Sequence, residues 1–193
     1  YRRQRQMCIK RQILRHGETV WNAEGRLQGR ADSPLTETGR AQAARQGALL
    51  AAAGAGELPL RSSPSPRALS TAEIALPGRP ILLDARLMEV GLGDWTGALI
   101  ADITAARPDI AAAPDAHLWK FTAPGGETLE AMAARCRAVL DDLGGPAILV
   151  THGLTSRVLR CIALGLPPGV LADLPGGQGV IHHIRDGQAR LIA

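Results

Sequence analysis

The chain has 193 residues, 46% of them hydrophobic, a net charge of +4 and three cysteines. That suffices for one domain with a core and two covered sheet faces, and no apolar run approaches the roughly 20 residues that span a bilayer. The basic N-terminus lacks the apolar stretch of a signal peptide, so a cytoplasmic protein with no membrane partner is expected. Cys8, Cys136 and Cys161 are too far apart for a disulfide framework or a zinc site and read as small buried side chains. Arg2, Arg3, Arg5, Lys10 and Arg11 hold five of the 22 cations, leaving 17 against 18 acids in the rest of the chain. The body is nearly neutral, so no nucleic-acid partner is expected, and residues 1–8 read as a flexible basic arm ahead of a single domain over 9–193.

In chain order, the run CIKRQIL (8–14) reads as a strand, and LTETGRAQAARQGALLAAAG (35–54) as a helix with Thr36 as its cap and Gly54 at its end. LPLRS (58–62) is a second strand, followed by the helix SPRALSTAEIAL (65–76). ILLD (81–84) is a third strand that leads into a loop. Residues 106–126, rich in Ala and Pro, read as an irregular excursion over the surface that could cover a site. GETLEAMAARCRAVLDDL (126–143) is a long helix closed by Gly144, and AILVT (147–151) is a strand followed by the helix LTSRVLRCIALGL (154–166). The C-terminal GVIHHIRDGQARLIA contains two strands joined at Asp186-Gly187, a hairpin signal. The alternation predicts an α/β fold with helices on both faces of a sheet.

The ends of the strands carry the chemistry. Arg15, His16 and Gly17 follow the first apolar run, and Thr151, His152 and Gly153 follow the fourth. Arg67 lies near the first turn of the helix after the second strand, and Glu89 lies a few residues beyond the third. In an open parallel sheet, ligands bind outside the carboxyl ends of the strands, so these residues can meet in one crevice. Two imidazoles and a carboxylate could bind a metal, but Arg15 and Arg67 would repel a divalent cation and attract an oxyanion. Two guanidinium forks suit a tetrahedral phosphoryl group, and helices starting after Gly17 and Gly153 would add their N-terminal partial charge. His16 is then the candidate nucleophile, kept unprotonated by neighbouring cations, and Glu89 the candidate proton donor to the leaving oxygen. No metal and no cofactor is expected.

Those residues stand in motifs that resemble the histidine phosphatase superfamily, in the branch that includes cofactor-dependent phosphoglycerate mutases and many small phosphatases. LRHGET (14–19), with WN at 21–22 and GRLQG at 25–29, is similar to the first motif and its phosphate loop. SSPSPRALSTA (62–72), LMEVGLGDWTG (87–97) and VTHG (150–153) follow in the family's order. The resemblance implies a three-layer α/β/α sandwich with a mostly parallel central sheet. It also implies that His16 is phosphorylated, that Arg15, Arg67 and His152 form the phosphate pocket, and that Glu89 acts as acid and then as base. Supporting phosphate contacts are implied for Gly17, Asn22, Gln28, Gly29 and Gly153, although Asn22 and Gln28 read equally well as loop hydrogen-bonding residues.

The mutases carry a basic and aromatic insertion after the motif glutamate that this chain lacks. The expected function is therefore metal-independent hydrolysis of a small phosphorylated metabolite: α-ribazole phosphate, a sugar phosphate or a broad range of monoesters. A phosphoglycerate mutase is the alternative, and a non-catalytic phospho-ligand sensor or protein-binding module is the alternative of another class. Arg107, His117 and Lys120 could attract an acidic substrate, although His117 alone reads as exposed. His182 and His183 read as structural, pointing to opposite faces of a strand. Trp21, Trp95 and Trp119 read as packing, and a homodimer is left open.

Overall fold

The computed structural model describes residues 10–112 and 115–193. The basic arm and Cys8 lie outside the described residues. Six strands form one sheet in the order β3-β2-β4-β1-β5-β6: β1 Arg11–Arg15, β2 Leu60–Ser62, β3 Ile81–Leu83, β4 Ala147–Thr151, β5 Ile181–Arg185 and β6 Gln188–Ile192. The β1–β4, β2–β4 and β2–β3 pairings are parallel, and β5 and β6 add an antiparallel edge. The Asp186-Gly187 turn has both residues at positive φ, 54° and 71°, the conformation required of a two-residue hairpin loop.

Among the described residues there are seven α-helices: α1 Val20–Ala23, α2 Glu37–Ala52, α3 Pro66–Ala75, α4 Ile100–Ala106, α5 Pro108–Ala111, α6 Leu129–Asp141 and α7 Gly153–Leu164. Alternation along the strands divides the core in two. Ile13, Leu149 and Ile184 pack with Met132, Cys136 and Val139 of α6 and with Val158, Leu159 and Cys161 of α7. Leu14, Ile148, Val150 and Ile181 pack on the other face with Leu50 of α2 and with Ala68 and Ala72 of α3. The three-layer arrangement thus follows from which strand positions are apolar. Both described cysteines are free and fully buried, as their spacing suggested.

The helix ends obey local chemistry. Thr36 Oγ1 accepts from the Gly39 N–H at 3.0 Å, and Thr128 Oγ1 caps α6 by accepting from Ala131 at 3.2 Å. Thr19 and Asn22 form a reciprocal capping box at the start of α1. The segment expected as an irregular excursion instead holds α5 and a 3-10 turn over Leu118–Thr122. Its apolar side chains explain the order: Ile110 is buried, and Leu118, Trp119 and Phe121 pack against the core. Trp119 meets Trp95 with ring centroids 5.6 Å apart.

Register controls where the strands end. Arg15 pairs with Thr151, and Ser62 with both Val150 and Leu83. The segments that follow β1, β2, β3 and β4 therefore leave the sheet at one edge. The turn after β1 is held against α2 by close backbone contact: a Cβ on Gly17 would lie 2.1 Å from the Gly39 carbonyl oxygen. Because that neighbour is backbone, no side chain can move away. Gly17→Ala should cost about 1–3 kcal/mol or more and lower the melting temperature by several degrees. Gly144→Ala, where an added Cβ meets nothing within 4 Å, should leave it nearly unchanged in the same thermal melt.

Candidate active site

A cavity of about 350 Å³ opens at this edge of the sheet. Arg15, His16, Asn22, Gln28, Gly29, Arg67, Glu89 and Gly153 line it. His152 is fully buried beside it, its ring centroid 5.2 Å from that of His16, because the β1–β4 register sets the two His-Gly pairs side by side. Gly17 is not on the wall: its N–H is taken by Thr71 Oγ1 at 3.0 Å, and its lack of a side chain serves the contact with Gly39.

His16 Nδ1 lies 2.7 Å from the carbonyl oxygen of Gly17. A carbonyl can only accept, so Nδ1 carries the proton and Nε2 holds a lone pair. Burial holds the imidazole well below its ordinary pKa, and His152, Arg15 and Arg67 push it further down, against the Gly17 bond. The ring is therefore neutral at pH 7. Arg67 Nε approaches His16 Nε2 at 3.3 Å. The rest of that guanidinium is fixed by the Gly29 and Ala31 carbonyls at 2.8 and 2.7 Å and by Asp32 at 2.9 Å. Arg15 is half-buried with no hydrogen-bond partner for its Nε, although Gln46 Nε2 secures its backbone carbonyl at 3.0 Å.

Glu89 lies in the loop after β3 and packs its carboxylate against the first turn of α7. Its Oε1 accepts from the Val90 N–H, the Thr155 N–H and the Thr155 hydroxyl at 3.0–3.2 Å, and its Oε2 from the Leu154 N–H at 3.1 Å. Burial pushes its pKa up, but the Val90 and Leu154 N–H groups, the Arg67 charge and Thr155 outweigh burial, and the net direction is down. The carboxylate is ionised at neutral pH. Its loop is clamped from below. Arg135 forks onto Glu127 at 2.6 and 2.9 Å and donates to the carbonyls of Arg86 and Met88, while Glu127 accepts from the Gly91 N–H. Backbone on both sides of Glu89 is thereby fixed.

Asn22 and Gln28 make loop hydrogen bonds and also line the cavity. Gln28 Oε1 accepts from Thr19 and Asn22, yet its Nε2 is buried with no partner. Behind the wall, Ser63 Oγ donates to Ser65 and meets His152 Nε2 at 2.8 Å, and His152 Nδ1 has no partner.

Several wall residues were not predicted. Gln178 joins from the loop before β5, donating to the His16 carbonyl and to Asn22 Oδ1 at 3.2 Å each. A lone Gln among the glycines of PGGQG gives only a loop signal. Ser156, Arg157 and Arg160 come from α7, where spacings of three and four place them on neighbouring parts of one face. His182, read as structural, also lines the cavity, whereas His183 turns to the other face and bonds Gln12 at 2.8 Å. His117 differs from its expected exposure, since it lines the cavity with a buried Nδ1. Burial and nearby cations lower its pKa to about 4. Lys120 lies with it, while Arg107 pairs outward with Asp109. None of the three tryptophans is on the wall.

Among the described residues no three His, Cys, Asp or Glu side chains are grouped to hold a metal ion, and no helix is long and apolar enough to cross a membrane. The cation-rich wall suits a phosphoryl group.

The comparisons with known proteins converge on one family. A curated glucosyl-3-phosphoglycerate phosphatase of Mycolicibacterium vanbaalenii is 36% identical over 179 residues, covering 83% of this chain and 77% of its own. A probable phosphoglycerate mutase GpmB of Yersinia enterocolitica is 31% identical over 172 residues, covering 81% of this chain and 75% of its own. The solved structure of a mycobacterial glucosyl-3-phosphoglycerate phosphatase complexed with VO3 superposes with a TM-score of 0.80 at 34% identity, covering 95% of this chain and 97% of that one. With the family model matching residues 12–190, the chain belongs to the histidine phosphatase superfamily (branch 1) and is an enzyme of that superfamily.

Proposed function

We propose that the protein hydrolyses the monoester of a small phosphorylated metabolite by transferring the phosphoryl group to His16 and then to water. The observation that carries this reading is the neutral His16, with its Nε2 lone pair directed at the guanidinium of Arg67 inside a cation-lined cavity. A bound phosphoryl group takes the place of the long Arg67–His16 contact and is held by Arg15, Arg67 and the first turn of α7 at Gly153. Asn22, Gln28 and the Gly29 loop complete its surroundings. The charge of the bound group favours protonation of His152, whose unpartnered Nδ1 then becomes a donor.

In the first step the His16 Nε2–P bond forms, the ester P–O bond breaks, and the leaving oxygen takes a proton from Glu89. In the second, Glu89 takes a proton from water, the water oxygen bonds to phosphorus, and the Nε2–P bond breaks to release inorganic phosphate. Oε2, with one N–H partner against three donors on Oε1, is the oxygen with room for that proton. Because Glu89 is ionised in the free protein, the proton arrives with the substrate monoanion. A mutase is the second reading, favoured by relatives named probable phosphoglycerate mutase; 3-phosphoglycerate isomerisation distinguishes it from phosphate release.

Phosphate release from a panel of monoesters in excess chelator should persist in the wild type and fall by at least about 1,000-fold in His16→Ala; release that chelator abolishes, or that His16→Ala retains, would count against the reading. Glu89→Gln should slow alkyl esters by about 100- to 10,000-fold and p-nitrophenyl phosphate far less. Equal slowing of both esters would remove Glu89 as the acid.

The pH profile follows from the two directions of shift. His16, held below its ordinary value, stays an unprotonated nucleophile as pH falls through 6.5, so that residue imposes no acid limb there. The requirement for substrate monoanion instead makes kcat/KM decline as pH rises past about 6, the second pKa of a phosphate monoester. A profile that rises through that region would contradict the proton's origin.

A further inference from the structure

Resting on the phosphatase reading, we infer that Ser156, Arg160 and His182 form a second anion subsite that recognises a carboxylate on the substrate. All three line the cavity, and all three are almost fully buried, at 2%, 2% and 4% exposure. Arg160 donates from Nη1 to His182 Nδ1 at 3.2 Å and from Nε to the Ser156 carbonyl at 3.2 Å, and its Nη2 makes no hydrogen bond among the described residues. A guanidinium cannot accept, so His182 Nδ1 is unprotonated and its proton sits on Nε2, a donor. Ser156 Oγ is buried with no partner.

The set is therefore rich in donors. It offers a guanidinium fork, an imidazole N–H and a hydroxyl, with no acidic side chain among them. Arg15, Lys120, Arg157 and Arg160 all line the cavity without a salt bridge among the described residues, whereas Arg26 and Arg67 are paired with Glu24 and Asp32. Arg157 is tied up by the Leu171, Ala172 and Leu174 carbonyls, but its charge acts on both Arg160 and His182. Among the described residues no carboxylate forms a salt bridge with either residue. Buried donors and cations left unpaired are costly unless a ligand meets them. The phosphoryl group is met by His16, Arg15, Arg67 and α7's first turn, whereas Ser156 and Arg160 begin a turn further along the same helix. A planar carboxylate matches the planar fork and accepts from the imidazole and the hydroxyl together.

The test compares 3-phosphoglycerate with glycerol 3-phosphate, which carries a hydroxymethyl group where the former has its carboxylate. Wild-type protein should hydrolyse 3-phosphoglycerate with kcat/KM about 10- to 100-fold higher, the range that one charged hydrogen-bonded contact provides. Arg160→Met should bring that ratio within about threefold of unity. If Arg160→Met does not fold, Arg160→Lys and Ser156→Ala carry the same measurement, each with a reduced ratio. A wild-type ratio near one, or a ratio that the variants leave unchanged, overturns the subsite. Release from other monoesters but from neither of these also overturns the subsite while leaving the phosphatase reading intact. No release from any monoester removes both.

Discussion

The parallel pairing of β1 with β4 is the constraint on which the rest of the site depends. Once Arg15 stands opposite Thr151, His16 and His152 must leave the sheet side by side, with Gly17 and Gly153 turning the chain immediately afterwards. Each glycine then answers a different demand. Gly17 admits the backbone of α2, and Gly153 opens α7 so that its first N–H groups and its Thr155 hydroxyl can seat the Glu89 carboxylate. A residue only a few positions beyond β3 is thus fixed by the helix that follows β4.

The charges in the cavity are arranged to favour an incoming anion over the empty state. Burial and neighbouring guanidinium groups keep His16 and His152 neutral, which preserves a lone pair at the cost of crowding cations together. Only part of that crowding is relieved internally, by Asp32 on Arg67 and by Glu89 near Arg15. The Arg135–Glu127 fork takes no place on the wall, but it holds the carbonyls and N–H groups flanking Glu89. Preorganisation of this kind spares the site from reordering when charge moves during reaction.

Much of the fold and half of the cavity were legible from local pattern. Thr36, Asp186-Gly187 and the apolar runs of β1 and β4 obey chemistry confined to a few neighbouring residues, and they formed the elements they signalled. Arg15, His16, Arg67 and Glu89 were legible because each follows a recognisable strand, and their order matched known motifs. Residues 106–126 were misread because Ala and Pro suggest irregularity, whereas burial of Ile110 and packing of Trp119 and Phe121 produced short helical turns. His182 was misread for a related reason. Strand alternation separates it correctly from His183, but alternation does not say whether the covered face holds core or cavity.

The amino-acid sequence by itself determined the alternating elements, their caps and the chemical character of the strand ends, since these depend on periodicity and on neighbours within one or two turns. Tertiary structure alone decided which residues share the cavity beyond those ends. Arg160 meets His182 across α7 and β5, Gln178 reaches His16 from a segment 162 residues away, and Gly17 lies in close backbone contact with Gly39. Such meetings depend on register, helix rotation and close backbone approach, quantities that exist only once the sheet and its two helical layers are packed together.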